Sequence, residues 1–489
     1  MIDPKNSQRL NRESCFRYLT EKIFTIRSAS QEELLRGWPG KVGIELEMQP
    51  FRRSSDDKKI PSIMPLSLQS QSKQENNIFQ ILSELANRKG WKAEYFDVGA
   101  YQTYNGEKIV EKFVIGDNEA ITFEPGGQVE FSTKPFYCLD AACQQLKTVL
   151  DAISNQFEKY KCQIVQVGLN PWFKLTNSPL QMTKQRYLAM DEYFMRHGSG
   201  GQEMMRQSMS IQVNLDFGFD LETGLERYLG ANLISPFATA LFAFSPFKEG
   251  KKTTLKTNRA DSWLRLDETR TGFPLKNLVN IPNSIESCVE SYLNFALQSR
   301  VIYIEGLDYK VPPFGFTFQD WMEKGLQDVY PTEKDFALHL TLLFPEVRPK
   351  GFLEIRAPDC QSPAWQNVPA IFYCGLLYSK RNLKKIISEL GEDFHLLEEL
   401  WYKAPYGLKE KKFATTAKKI MDWASEGIAE LPACFKSHDL EKQLFAFNEN
   451  FTQKSRTPAD LLIELVEEEN NLTLATLRKF EDISLKMYA

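Results

Sequence analysis

Apolar and polar positions along the chain repeat with two periods, and each period predicts a different element. In VGIELEMQPF (42–51), Val42, Ile44, Leu46 and Met48 alternate with Gly43, Glu45, Glu47 and Gln49, the period of a half-buried strand. ITFEPGGQVEFST (121–133) carries a Gly126–Gly127 break after Glu124, then puts Gln128 and Glu130 on one face and Val129 and Phe131 on the other. SMSIQVNLDF (208–217) sets Gln212, Asn214 and Asp216 against Ile211, Val213 and Leu215. GFLEIRAPD (351–359) sets Glu354 and Arg356 against Leu353 and Ile355.

The other period, apolar residues three and four apart, predicts an amphipathic helix over 137–160 and a helix within QENNIFQILSELANRKG (74–90). Residues 1–40 read as an N-terminal helical segment. Beyond about residue 380 the composition shifts to charged, helix-period segments: LKKIISEL, TTAKKIMDWASEGIAEL and TPADLLIELVEEENNLTLATLRKF. In the last of these, Thr457 as N-cap, Pro458 at the first helical position and Asp460 in the first turn form an explicit start signal. These patterns predict one α+β domain over 1–380, with a helical flank over 381–489 that packs on it and carries no chemistry. The uncharged run ANLISPFATALFAFSPF (231–247) is broken by Asn232, Pro236 and Pro246, which suits a buried helix better than a membrane span.

Composition narrows the classes. A net charge of −4 over 489 residues offers no basic field for nucleic acid or an acidic membrane, so neither is expected as a partner. The start, MIDPKNSQRLNRES, lacks the apolar stretch of a signal peptide, and the expectation is a cytoplasmic protein. The eight cysteines show no CxxC pair and read as small buried hydrophobes rather than a disulfide framework or zinc site. His197, His339, His395 and His438 are isolated.

The chemistry lies on the polar faces of the strands. A sheet collecting them would gather Glu45, Glu47, Glu124, Glu130 and Glu354 with several amides and Arg356. Like charges so gathered are costly unless cations bind. Oxygen donors without cysteine and almost without histidine suit Mg2+ or Mn2+, and Mg2+ commonly bridges carboxylates to substrate phosphates. Arg356 is placed to balance phosphate charge. No GxxxxGK[ST] or kinase-type glycine loop is present, and GSGG (198–201) reads as a flexible loop.

Six motifs, GIELE (43–47), ITFEPGGQVEFS (121–132), MMRQSMSIQVNLDF (204–217), SPFATALFAFSPF (235–247), DETRTGF (267–273) and FPEVRPKGFLEIRAPD (344–359), together resemble the plant-type glutamate–cysteine ligases. The resemblance implies a glutamine-synthetase-like fold, a curved and mainly antiparallel sheet lining a funnel and surrounded by helices. It implies ATP-dependent ligation of the γ-carboxylate of L-glutamate to the amino group of L-cysteine through an acyl phosphate, in a monomer or homodimer, feeding glutathione-type thiol synthesis. By the same resemblance Glu45, Glu47, Glu124, Glu130 and Glu354 are metal ligands, with Gln212 a metal or nucleotide contact. Arg206, Arg270 and Gln128 hold substrate, Arg356 holds the nucleotide phosphates, and Arg356, Glu45 and Glu47 are catalytic. Two rival readings are a ligase for another amine and a non-catalytic metal- or nucleotide-binding homologue. The stretch 303–331, where plant enzymes carry a redox-switch cysteine pair, has no cysteine, and Ser208 stands where the plant motif has cysteine, so that switch is not expected.

Overall fold

A computed structural model of the chain describes residues 9–56, 58–67, 76–96 and 110–488. The first eight residues of the N-terminal segment, and with them most of the stretch searched for a signal peptide, lie outside the described residues.

The strand Val42–Arg52 is the hub of a ten-stranded sheet. In sheet order the main path runs Val347–Pro349, Leu353–Ile355, Ile211–Leu215, Val42–Arg52, Val129–Ser132, Glu119–Phe123, Val110–Gly116 and Lys92–Tyr95. Ser62–Ile63 and Cys162–Val165 pair with the far end of the hub, and every pairing in this sheet is antiparallel. This is the α+β, mainly antiparallel architecture expected from the sequence. The strands at 208–217 and 351–359 are shorter than their alternation suggests, because pairing is confined to Ile211–Leu215 and Leu353–Ile355.

Alternation decides what the sheet buries. Val42, Ile44, Leu46 and Met48 are fully buried, as are Val129, Phe131, Ile211, Val213, Leu215, Leu353 and Ile355. These side chains join one continuous core with the helices behind the sheet, including Leu139–Glu158 and Leu221–Leu241. The latter contains residues 231–241 of the apolar run, is buried around nearly its whole circumference, and accommodates Pro236 internally. Among the described residues no helix is long and apolar enough to cross a membrane.

The C-terminal helices extend the same core. Val368–Leu377 packs on Lys411–Glu430 at glycine contacts so close that a Cβ at Gly427 would lie 1.9 Å from the carbonyl oxygen of Gly375. The Thr457 start signal is realised: Asp460 accepts the Thr457 backbone N–H at 2.8 Å and its hydroxyl at 2.9 Å. GSGG is a correction. Only Gly198, at φ +92°, stays outside the helix, and Ser199–Gln207 is helical. Its glycines serve close packing, since a Cβ would lie 2.5 Å from the Arg265 oxygen at Gly200 and 2.2 Å from the Phe194 ring at Gly201.

Candidate active site

Register brings the polar faces of these strands together. Glu47 lies opposite Glu130, Glu45 opposite Gln212, and Glu354 opposite both Asn214 and Arg348. The turn before Val129–Ser132 adds Glu124, whose backbone N–H donates to the Gln128 oxygen at 2.9 Å. Both turn glycines are required there: Gly127 has φ +85°, and a Cβ at Gly126 would lie 2.1 Å from the Arg206 oxygen.

The result is a cleft of about 260 Å³ lined by Glu45, Glu47, Glu124, Glu130, Glu354, Gln128, Gln212 and Arg356, eight of the ten residues singled out from the sequence. Arg186, Arg259, Arg348 and Lys350 also line it, and these cations were not picked out from the sequence. Tyr187, Met190, Trp263 and Phe344 supply apolar wall.

The five glutamates fall into two electrostatic kinds. Glu354 is fully buried and accepts from Arg348 at 2.6 and 3.0 Å, Arg356 at 2.9 Å and Lys350 at 2.9 Å. Burial alone would raise its carboxyl, but these cations outweigh it and hold the group below the usual carboxylate range. The other four are under-compensated. Burial, reinforced by neighbouring carboxylates, pushes Glu124 up to about 8 and Glu130 well above the ordinary range. Glu45 is raised by burial and by Glu354, and Glu47 is raised by burial against the pull of Arg259 and Arg356. Their fixed partners are neutral donors: Ser210 N–H and Gln212 on Glu47, Asn214 on Glu45, and Thr122 on Glu130.

Oxygen donors carrying more negative charge than their surroundings compensate fit a hard divalent cation, and Glu45, Glu47, Glu124 and Glu130 are the residues that would hold one. Among the described residues no three histidine, cysteine or acidic side chains stand close enough together to form a metal site as they are. Glu354, assigned from the sequence as a metal ligand, is paired here with three cations.

The amides are placed as connectors. Gln212 donates to Glu47 at 3.2 Å and accepts from Arg356 at 3.2 Å, tying the carboxylate floor to the arginine. Gln128 donates to the Ser208 oxygen at 2.9 Å, while its buried Oε1 has no partner among the described residues. Arg259 donates to the Arg356 and Ala357 oxygens at 2.8 and 3.2 Å and so fixes the backbone that carries Arg356.

Two of the residues assigned from the sequence do not line the cleft. Arg270 is fully buried and does not line the cleft. Its guanidinium donates to Asp267 at 2.9 Å, the Leu342 oxygen at 2.8 Å, the Tyr193 hydroxyl and the Arg300 oxygen, which turns it away from the cleft. Arg206 is also absent from the cleft lining: it pairs with Asp191, and its backbone packs on the Gly126 turn.

The family model for glutamate-cysteine ligase family 2 matches residues 42–470. A rice (Oryza sativa subsp. japonica) glutamate–cysteine ligase A, chloroplastic, is 32% identical over 307 residues, covering 60% of this chain and 60% of the rice protein. The Nicotiana tabacum glutamate–cysteine ligase, chloroplastic, is 28% identical over 390 residues, 75% of this chain and 70% of that protein. The chain therefore spans about 60% of the length of the rice relative. A crystal structure of the Francisella tularensis glutamate–cysteine ligase in complex with AMP shares the fold at 13% identity, with a TM-score of 0.50 over 92% of this chain and 89% of that one. The chloroplastic designation of these plant relatives overturns the cytoplasmic expectation drawn from the start of the chain.

Proposed function

The chain belongs to glutamate-cysteine ligase family 2, and from that premise we propose that it joins the γ-carboxylate of L-glutamate to the amino group of L-cysteine, consuming ATP. The observation that carries this reading is the division of one cleft into a carboxylate floor whose charge is under-compensated and a cationic wall around Glu354 and Arg356.

A carboxylate is a poor electrophile. Phosphorylation by ATP turns it into an acyl phosphate, which the cysteine amine then attacks, expelling phosphate and leaving an amide. ATP and glutamate are both anionic, so the site must bring negative charges together. Glu45, Glu47, Glu124 and Glu130 would hold Mg2+ or Mn2+, and the bound ion supplies charge neutralisation for the phosphate oxygens. Arg356, aligned by Glu354, Gln212 and the Arg259-fixed backbone, stabilises the charge that develops on the transferring phosphoryl group. Gln128 Oε1, unpartnered among the described residues, accepts from the α-ammonium group of glutamate. Arg186, which the structure adds to the sequence-derived set, is the cleft guanidinium that takes over the carboxylate-anchoring role assigned to Arg270.

Incubating the protein with ATP, Mg2+, glutamate and a panel of amines tests the reading. Mass spectrometry should find γ-glutamylcysteine as the main product. ADP release with another amine and none with cysteine would move the chain to a different acceptor.

A further inference from the structure

We propose that Cys138 and Cys434 are a modification site at which a reversible disulfide closes between the helix behind the sheet and the C-terminal helical flank. Cys138 is the N-cap residue of Leu139–Glu158, and Cys434 sits in the short 3₁₀ turn Ala433–Phe435. The two are interlocked: the Cys138 thiol donates to the Cys434 oxygen at 3.1 Å, and the Cys434 thiol donates to the Tyr137 oxygen at 3.5 Å. Stacking of Trp38 on Tyr137, with ring centroids 4.8 Å apart, fixes the wall beside them.

Exposure separates this pair from the rest. The other six cysteines are buried, whereas Cys138 and Cys434 are half-buried and within reach of a small reagent. Burial pushes the Cys434 thiol up to about 11, so exchange there is slow near neutral pH and accelerates as the thiolate forms. The oxidant is a low-molecular-weight disulfide, RSSR. One protein thiolate attacks it and expels RS⁻, and the second thiol then displaces the other RS⁻ from the mixed disulfide. RSSR takes up the two electrons, and the two thiol protons leave with two RSH. The new bond joins residues 296 positions apart, so it restricts the unfolded chain strongly.

The full-length protein is treated under native conditions with bis(2-hydroxyethyl) disulfide and mapped by mass spectrometry. A linked Cys138–Cys434 peptide is expected, two hydrogens lighter than the reduced pair and reversed by dithiothreitol. Cys138→Ser and Cys434→Ser abolish it, whereas Cys143→Ser retains it. Closure accelerates as pH rises toward about 10, and the oxidised protein melts several degrees higher than the reduced one. A bond mapped to other cysteines would overturn the proposal, as would stable mixed disulfides that never close or closure only after denaturation.

Discussion

Glu47 stands directly opposite Glu130 where Val42–Arg52 pairs with Val129–Ser132. Residues so paired hold their Cβ atoms about 5 Å apart, and two like charges at that distance destabilise a sheet. Burial raises both carboxyls, and at Glu130 the charges of Glu45, Glu124 and Glu47 add to the rise.

Removing one of these charges should therefore weaken function while easing the fold. Glu47→Gln or Glu130→Gln is expected to lower turnover on the order of a hundredfold, as loss of a main electrostatic stabiliser does. The metal-free variant should melt no lower than the parent, and Mg2+ should raise its melting temperature less. Near-normal turnover at saturating Mg2+ would remove these residues from the metal site.

Glu354 should behave in the opposite sense. It compensates Arg348, Lys350 and Arg356 together, so Glu354→Gln leaves clustered cations and should lower the metal-free melting temperature as well as turnover. Thermal melts of Glu47→Gln and Glu354→Gln without metal read the contrast directly, and equal shifts would contradict the two-kind division of the carboxylates.

Arg270→Met should act through stability. Asp267 would lose its buried guanidinium, keeping Arg300 at 2.8 Å and the neutral donors Tyr193 and Thr269, a change of about 3 kcal/mol. Both substrate KM values and kcat should worsen together. A selective rise in the glutamate KM at unchanged melting temperature would restore the anchoring role.

His339 supplies a pH signature. It is buried with its Nε2 at 2.9 Å from the Ala296 oxygen, and burial, with Arg270 nearby, lowers its pKa to about 3. A depressed folded pKa gives stability that is present above the unfolded value, near 6.5, and lost as pH falls toward about 3. Of the parent's acid destabilisation, about 2 kcal/mol at pH 5 should disappear in His339→Gln, read as the difference between urea-unfolding curves at pH 7 and pH 5.

Much of the cleft was legible because a strand's period is local. Glu45 with Glu47, Gln128 with Glu130, and Glu354 with Arg356 each occupy one face by spacing alone, and register then gathers them. Arg348 could have been found the same way, since Gly351 at φ +77° closes a hairpin that sets it opposite Glu354. Arg186 and Arg259 lie on helices whose approach to the sheet is tertiary, and no local pattern announces it. The burial of Arg270 was hidden for the converse reason. DETRTGF looks like an exposed loop, yet Tyr193, Arg300 and Leu342, distant in sequence, enclose its arginine.

The central claim is phosphoryl activation of glutamate in this cleft, and oxygen transfer tests it most directly. Glutamate labelled with 18O in its γ-carboxylate is incubated with ATP, Mg2+ and cysteine, and the phosphate and product are analysed by mass spectrometry. The account predicts one 18O in inorganic phosphate and one retained in the amide of γ-glutamylcysteine, with both lost in Arg356→Met. Unlabelled phosphate accompanying product, or no ATP-dependent γ-glutamylcysteine at all, would contradict it.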